Sequence, residues 1–275
     1  MHCIPDPRMH GLNGYLEIIE TIDWGLKQLG HEVSYAVNQA ENNAVNIIFG
    51  AQVLPIDFIQ TLPKDTVIYN FEQIRGAQTY QIRSEVQYFA DKFEIWEYSQ
   101  ANLETWTRLG ANNVKLVPVG YAPSLTRIPK NFPQEIDVLI YGLTGEKRLE
   151  AFHRLSQAGI KTIFLSGLYG QARDFLISQS KLVLNINLYD VTQIFEIARV
   201  SYLLANKKAV VATLDANTYV EDGISKAVKF TNINKIVDDC LHLLEDDKAR
   251  ELLEHSGFEI FQKRNIVTIL EKALI

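Results

Sequence analysis

The sequence predicts an α/β protein of two Rossmann-like domains facing each other across a cleft. Three observations carry this. Short apolar runs alternate with amphipathic helical patterns from end to end. Prolines cluster once, near the middle. The alternation then restarts with the same grammar. Parallel strands need crossover connections, so βαβα alternation implies a parallel sheet covered by helices.

In the first half, Cys3 and Ile4 make a weak start, followed by a loop through Pro5, Pro7, Gly11 and Gly14. Residues 15–29 place Ile18, Ile22, Leu26 and Leu29 on one helical face. Apolar runs at 32–37, 45–49 and 66–69 are bounded by polar, Pro or Gly punctuation and are expected as strands. Helical patterns at 78–89 and 101–109 flank a run at 94–96, and 114–117 closes the series. Pro118, Pro123, Pro129 and Pro133 are too many for an element interior. The expected organisation is a first domain over 1–118, a linker over 119–133 and a second domain over 134–275, with the last helix packing back on the first domain.

The second half reads more cleanly. Strands are expected at 136–141, 162–165, 181–186 and 209–213, with a short run at 227–230. Helices are expected at 146–158, 171–178, 194–205, 233–244, 248–262 and 266–274.

Composition excludes several function classes. Of 275 residues, 47% are hydrophobic and 22% charged, which is the make-up of a folded chain. No apolar run approaches the ~18 residues of a membrane span, and Pro, Asp, Arg and His interrupt the opening residues where a secretory signal needs apolar ones. A cytoplasmic location is expected. The 27 Lys+Arg against 33 Asp+Glu give a charge of −6, opposite to the basic surface of a nucleic-acid binder. Cys3 and Cys240 lie near opposite ends, and Cys240 sits in an apolar helical pattern as a small core residue. The histidines (His2, His10, His31, His153, His242, His255) show no metal-binding spacing, so no metal is expected. There is no GxSxG elbow, and neither half carries a dinucleotide fingerprint.

Ligands of open parallel sheets bind beyond the carboxyl ends of the strands, which directs attention to the loops there. After 136–141 comes Gly142-Leu143-Thr144-Gly145-Glu146-Lys147-Arg148. Two glycines, a helix N-terminus and two cations suit a diphosphate; a tight turn with solvated basic residues is the alternative. Ser166-Gly167-Leu168-Tyr169-Gly170 borders a nucleotide base, or is a glycine-rich connection with Tyr169 on the surface. Beyond 181–186, Asn187 leads towards Glu196 and Arg199. Glu196 suits ribose hydroxyls and Arg199 a phosphate, unless the two form an i,i+3 pair. In the first half, the loop at 5–14 holds Asp6, Arg8, His10 and Asn13, and Glu72 follows a strand end. His10 or Glu72 is the candidate general base, against the alternative of solvated loops.

The arrangement resembles the GT-B superfamily of nucleotide-sugar-dependent glycosyltransferases, in particular the bacterial group-1 and spore-maturation types. The resemblance rests on Gly14 with the helix ending Gln28-Leu29-Gly30-His31-Glu32-Val33, and on Trp96-Glu97-Tyr98-Ser99-Gln100-Ala101-Asn102. It rests further on Asp137-Val138-Leu139-Ile140-Tyr141-Gly142, on Phe195-Glu196 through Val210-Val211, and on Glu221-Asp222-Gly223-Ile224. The paired-glutamate pattern of many retaining members is not reproduced, and Tyr202 stands about where its second glutamate falls.

The resemblance implies metal-independent transfer of a hexosyl group from a nucleoside diphosphate sugar, such as a UDP or GDP sugar, to a hydroxyl acceptor. That acceptor would be a saccharide, lipid or protein, with peripheral membrane association and no other cofactor. It implies donor contacts at Gly14, Gly142, Thr144, Lys147, Arg148, Tyr169, Asn187, Glu196 and Arg199, with His10 and Glu72 at the reacting centre. A nucleotide-sugar epimerase or hydrolase, or a catalytically silent binding module, would share the architecture.

Overall fold

A computed structural model of the chain describes residues 12–37, 39–77, 81–130, 132–188 and 194–275. The chain divides into two compact units. One runs through Gly120 and takes in Asn265–Ile275; the other is Tyr121–Arg264.

In the first unit, α1 (Leu16–Gln28) buries Ile18, Ile22 and Leu26 along the stripe set by their spacing. The strands are β1 (Ile47–Phe49), β2 (Val67–Asn70), β3 (Glu94–Glu97) and β4 (Val114–Leu116). They form a parallel sheet in the order β1-β2-β3-β4. The connections carry α2 (Ile56–Ile59), α3 (Ser84–Lys92) and α4 (Leu103–Arg108). Ile48, Ile68, Ile95, Phe89 and Trp106 make the core on one side of the sheet.

No strand is assigned over 32–37, contrary to expectation. Tyr35 and Val37 in that run are exposed, at 48% and 40%. A short apolar run becomes a strand only where a neighbour is available to pair with and bury it. The helix expected over 78–89 begins at Ser84 among the described residues.

The second unit holds β5 (Ile136–Tyr141), α5 (Glu146–Gln157), β6 (Thr162–Leu165), α6 (Gly170–Ser178) and β7 (Ser180–Asn185). It continues with α7 (Ile197–Ala205), β8 (Ala209–Thr213), β9 (Lys229–Thr231), α8 (Ile236–Glu245) and α9 (Asp247–Gln262). Its parallel sheet runs β6-β5-β7-β8-β9. The chain adds β6 on one side of β5 and then crosses back to place β7 on the other. The strand order therefore reverses between β5 and β7, which is the topological switch point of this sheet.

The central strands are covered on both faces, which is why apolar residues dominate consecutive positions in them, as in Val138–Tyr141, Leu182–Leu184 and Ala209–Ala212. Val138, Ile140, Leu182, Leu184 and Val211 pack with Ala151 and Leu155 of α5 and with Ile236 and Cys240 of α8. Burial pushes the Cys240 thiol up to about 12, which leaves it an inert core residue.

The proline-bearing stretch is packed rather than free. Ala122, Leu125 and Ile128 are buried. The Asn206 amide accepts from the backbone N–H of Arg127 and Ile128, at 2.8 Å each, and donates to the Leu125 carbonyl at 2.9 Å. The segment 121–130 thus belongs to the second unit. Prolines remove backbone donors, and Asn206 meets the polar groups that remain at 125–128, with Thr126 and Arg127 adding bonds to the Ala205 carbonyl and the Tyr202 hydroxyl. The last helix, α10 (Ile266–Ala273), lies in the first unit, where Ile266 and Leu270 pack closely against Gly25 of α1.

Candidate active site

The expected diphosphate loop leaves β5 at Gly142, the first residue beyond the strand. Its φ of +127° is open to glycine and closed to other residues. A Cβ there would stand 2.8 Å from Arg148 Nη1 and 2.9 Å from Arg199 Nη2. The chain bends at Gly142 so that two guanidinium groups, one from α5 and one from α7, can close over the strand end.

These arginines differ in role. Arg148 is 1% exposed. Its Nε donates to the Ile186 carbonyl at 2.9 Å and its Nη1 to the Leu143 carbonyl at 2.8 Å, while Nη2 lies 3.4 Å from Glu196 Oε1. It clamps the loop after β5 to the loop after β7. Sequence reading took it as an open anion contact; its stem is held in the core and its donors are turned to backbone. Arg199, in the first turn of α7, is half-buried. It reaches Glu196 Oε2 at 3.2 Å and Asn185 Oδ1 at 3.4 Å, and stacks over the Tyr141 ring. The i,i+3 contact between Glu196 and Arg199 is therefore real, as one link of a larger network.

Glu196 is the residue that caps the start of α7, without a side-chain capping bond. Asn187, 1% exposed, donates to Asp215 Oδ2 at 3.1 Å, and its backbone N–H reaches Thr213 Oγ1 at 3.3 Å. Asp215 in turn faces Lys147 at 3.7 Å. Two contact networks thus lie at the carboxyl ends of β5, β7 and β8: Arg148, Glu196, Arg199 and Asn185 in one, and Lys147, Asp215, Asn187 and Thr213 in the other. Among the described residues these networks carry three cations, Lys147, Arg148 and Arg199, and two carboxylates, Glu196 and Asp215.

Among the described residues, three buried polar atoms at these strand ends find no hydrogen-bond partner: Asn185 Nδ2, Asn187 Oδ1 and Glu196 Oε2. Glu196 Oε2 faces Arg199 without hydrogen-bond alignment. Each such group costs roughly 1–3 kcal/mol when left unmade. Of the five such atoms among the described residues, two are Thr66 Oγ1 and Glu221 Oε1 and the other three sit at these strand ends. The start of α5 adds to them, because Gly145 provides no side-chain cap for the first-turn N–H groups.

Thr144 is exposed on the loop between Gly142 and Gly145, and Gly145 is packed against Leu188. Tyr169 is half-buried at the start of α6, beyond β6 on the far side of β5. Gly14 is exposed in the first unit, with open space where a Cβ would stand. His10 lies outside the described residues.

Glu72 follows β2 in the first unit. Burial raises its pKa, opposed by the Gln52 amide, which donates to Oε1 at 2.8 Å, and by Arg83. A carboxyl raised in this way is a stronger base than an ordinary surface carboxylate.

Sequence reading singles out the loops that begin at Asn70 and Asn185 but assigns no role to these two residues, nor to Glu97, Asn102 or Asp215. One signal was available: Asn70, Glu97 and Asn185 each place a polar residue at the carboxyl end of a strand, and each is buried.

No family model matches the sequence, and no curated protein matches it. Solved structures do. HepE from Anabaena, in complex with UDP and glucose, matches with a TM-score of 0.60 at 14% identity, over 99% of this chain and 97% of that one. A glycosyltransferase from Rickettsia africae matches at 0.58 and 12% identity, over 99% and 96%. TarM matches at 0.60 and 17% identity over 83% of this chain, which spans about half of TarM (53%). At these identities the likeness is one of fold: this chain has the fold of the GT-B glycosyltransferases, mixed α/β with a parallel sheet in each of two Rossmann-like units.

Proposed function

We propose that the protein is a glycosyltransferase that moves a hexosyl group from a nucleoside diphosphate sugar to a hydroxyl acceptor without a metal ion. One observation carries the reading: the unpaired buried polar atoms and the two guanidinium groups gathered around Gly142 at the switch point. A diphosphate leaving group develops negative charge as the glycosidic bond breaks, and preorganised donors at that point are the main source of stabilisation.

Arg199 and the open N-terminus of α5 meet the diphosphate in this reading. Arg148 holds the two loops in register and adds its charge from below. Glu196, with Asn187 beside it, accepts the ribose hydroxyls. Lys147 and Thr144 border the phosphates, and Tyr169 the base. Glu72 takes the proton of the acceptor hydroxyl, with Gly14 and His10 on the same acceptor-side unit. The UDP held by HepE and by a TarM variant makes UDP the first nucleotide to test. The saccharide-like ligands of that variant, Fondaparinux and alpha-GlcNAc-glycerol, favour a saccharide acceptor. No described helix is long and apolar enough to cross a membrane. In this reading a lipid acceptor is met peripherally, from the cytoplasm.

The test is a thermal-shift screen with UDP, GDP, TDP, ADP and CMP. At a hundredfold excess over Kd, linkage stabilises by about 2.7 kcal/mol, or roughly 5–10 °C for a domain of this size. Arg199→Ala loses most of that rise, because Arg199 is the half-buried guanidinium and its removal spares the core. Equal shifts in parent and variant refute the site. Consumption of a sugar nucleotide as fast without acceptor as with it favours a hydrolase or epimerase instead. Binding without turnover favours a silent module.

A further inference from the structure

Glu97, at the carboxyl end of β3, is fully buried in the first unit. It is surrounded by donors. Oε2 accepts from Trp106 Nε1 and from Asn70 Nδ2, both at 2.7 Å; Oε1 accepts from the Ser99 N–H at 2.8 Å and from Asn102 Nδ2 at 3.0 Å. Four donors and no acceptor face it, so the network calls for a carboxylate.

The two asparagines do a second thing. Asn70 Nδ2 and Asn102 Nδ2 also donate to the backbone carbonyl of Glu72, at 3.1 Å and 2.8 Å. Their carbonyl oxygens accept from the N–H of Glu72 at 3.1 Å and of Ile74 at 3.0 Å. A flipped amide would turn its oxygen towards a carboxylate and its NH2 towards a backbone N–H. The charge on Glu97 therefore sets which way both amides point, and the amides set the backbone of residues 72–74.

We propose that Glu97 is a positioning residue, which locks the Asn70 and Asn102 amides so that they hold the 72–74 loop and aim the Glu72 carboxyl. The inference rests on Glu72 being the base that accepts the acceptor's proton. Burial raises the Glu97 pKa to about 7 against the pull of its four donors. Such a costly arrangement fits a group kept for position rather than for stability.

The experiment uses the full chain with Glu97→Gln, Glu72→Gln, the double variant and Asn102→Ala. Glutamine brings an NH2 among four donors, which forces an amide to turn. Glu97→Gln is expected to lower kcat about thirtyfold while the donor KM stays within twofold. Amide hydrogen exchange at Glu72 and Ile74 should rise at least tenfold. In the Glu72→Gln background the same change should cost under twofold more, since Glu97 acts through Glu72; general damage to the unit would multiply. Should Glu97→Gln fail to fold, Asn102→Ala must reproduce the loss of kcat and of protection at Ile74. Parental exchange at Glu72 and Ile74, or fully multiplicative losses in the double variant, overturn the proposal. A parent that turns over no nucleotide sugar refutes the transferase reading alone, and exchange then decides whether Glu97 holds the loop.

Discussion

Gly142→Ala tests the geometry of the switch point directly. The added methyl would stand 2.8 Å from Arg148 Nη1 and 2.9 Å from Arg199 Nη2, against a normal contact of roughly 3.5 Å. Arg199 is half-buried and can swing aside. Arg148 is held between the Ile186 and Leu143 carbonyls. A retreat of roughly 0.7 Å takes its bond to Leu143 beyond hydrogen-bond range. Losing a hydrogen bond from a charged donor costs about 1.5–3 kcal/mol. Alanine at a φ of +127° adds roughly 1–3 kcal/mol of backbone strain. The sum, about 2.5–6 kcal/mol, lowers the melting temperature of the second unit by roughly 5–20 °C. The displaced guanidinium pair also weakens nucleoside diphosphate binding at least tenfold. Scanning calorimetry with and without UDP reads both effects. A variant that melts within about 2 °C of the parent and keeps its full nucleotide shift would refute the argument that two arginines close over this strand end.

Two further outcomes probe each unit separately. Lys208 is 3% exposed and donates to the Ser180 carbonyl at 2.6 Å. Burial pulls its pKa down to about 8 against a partial lift from Glu254. The unfolded chain therefore binds more protons between pH 8 and 10.5, so stability rises with pH across that window, by roughly 3 kcal/mol; below pH 8 the cost of the buried charge is fully present. Lys208→Met should remove that slope in urea unfolding at pH 7.5 and 10.5, and an unchanged slope sinks the assignment. In the first unit, Gly25→Ala would put a methyl 2.6 Å from Leu270 Cδ1. Either the buried Leu270 side chain leaves its rotamer or α1 and α10 part, at a cost of about 1–3 kcal/mol. Thermal melting of the variant at the parental temperature would show that the two helices do not pack this closely.

Much of the fold was legible because hydrophobic spacing encodes it. The stretches 138–141 and 209–212 are consecutively apolar because both faces of β5 and β8 are covered, and the stripe of Ile18, Ile22 and Leu26 is the buried face of α1. Two misreadings have physical causes. The run at 32–37 has strand composition and no assigned strand. The prolines at 118–133 mark missing donors, which sequence cannot distinguish from a missing structure until Asn206 is seen to satisfy the neighbours.

In the candidate site, the loop from Gly142 to Arg148 and the pair Glu196 and Arg199 could be named from glycine, charge and position alone. Their roles could not. Exposure decides whether a guanidinium meets a ligand or a carbonyl, and exposure depends on partners far away in the chain: Arg148 is turned inward by Ile186, Asn187 is tied to Asp215, and Glu97 reaches the 72–74 loop through two amides. Local order along the chain determined which segments are strands and helices and which loops lie at strand ends, since those follow from neighbours a few residues apart. Which charges are buried, which polar atoms are left unpaired and which side chains work through others was decided only in three dimensions, because hydrogen bonds and desolvation act on whatever folding brings near.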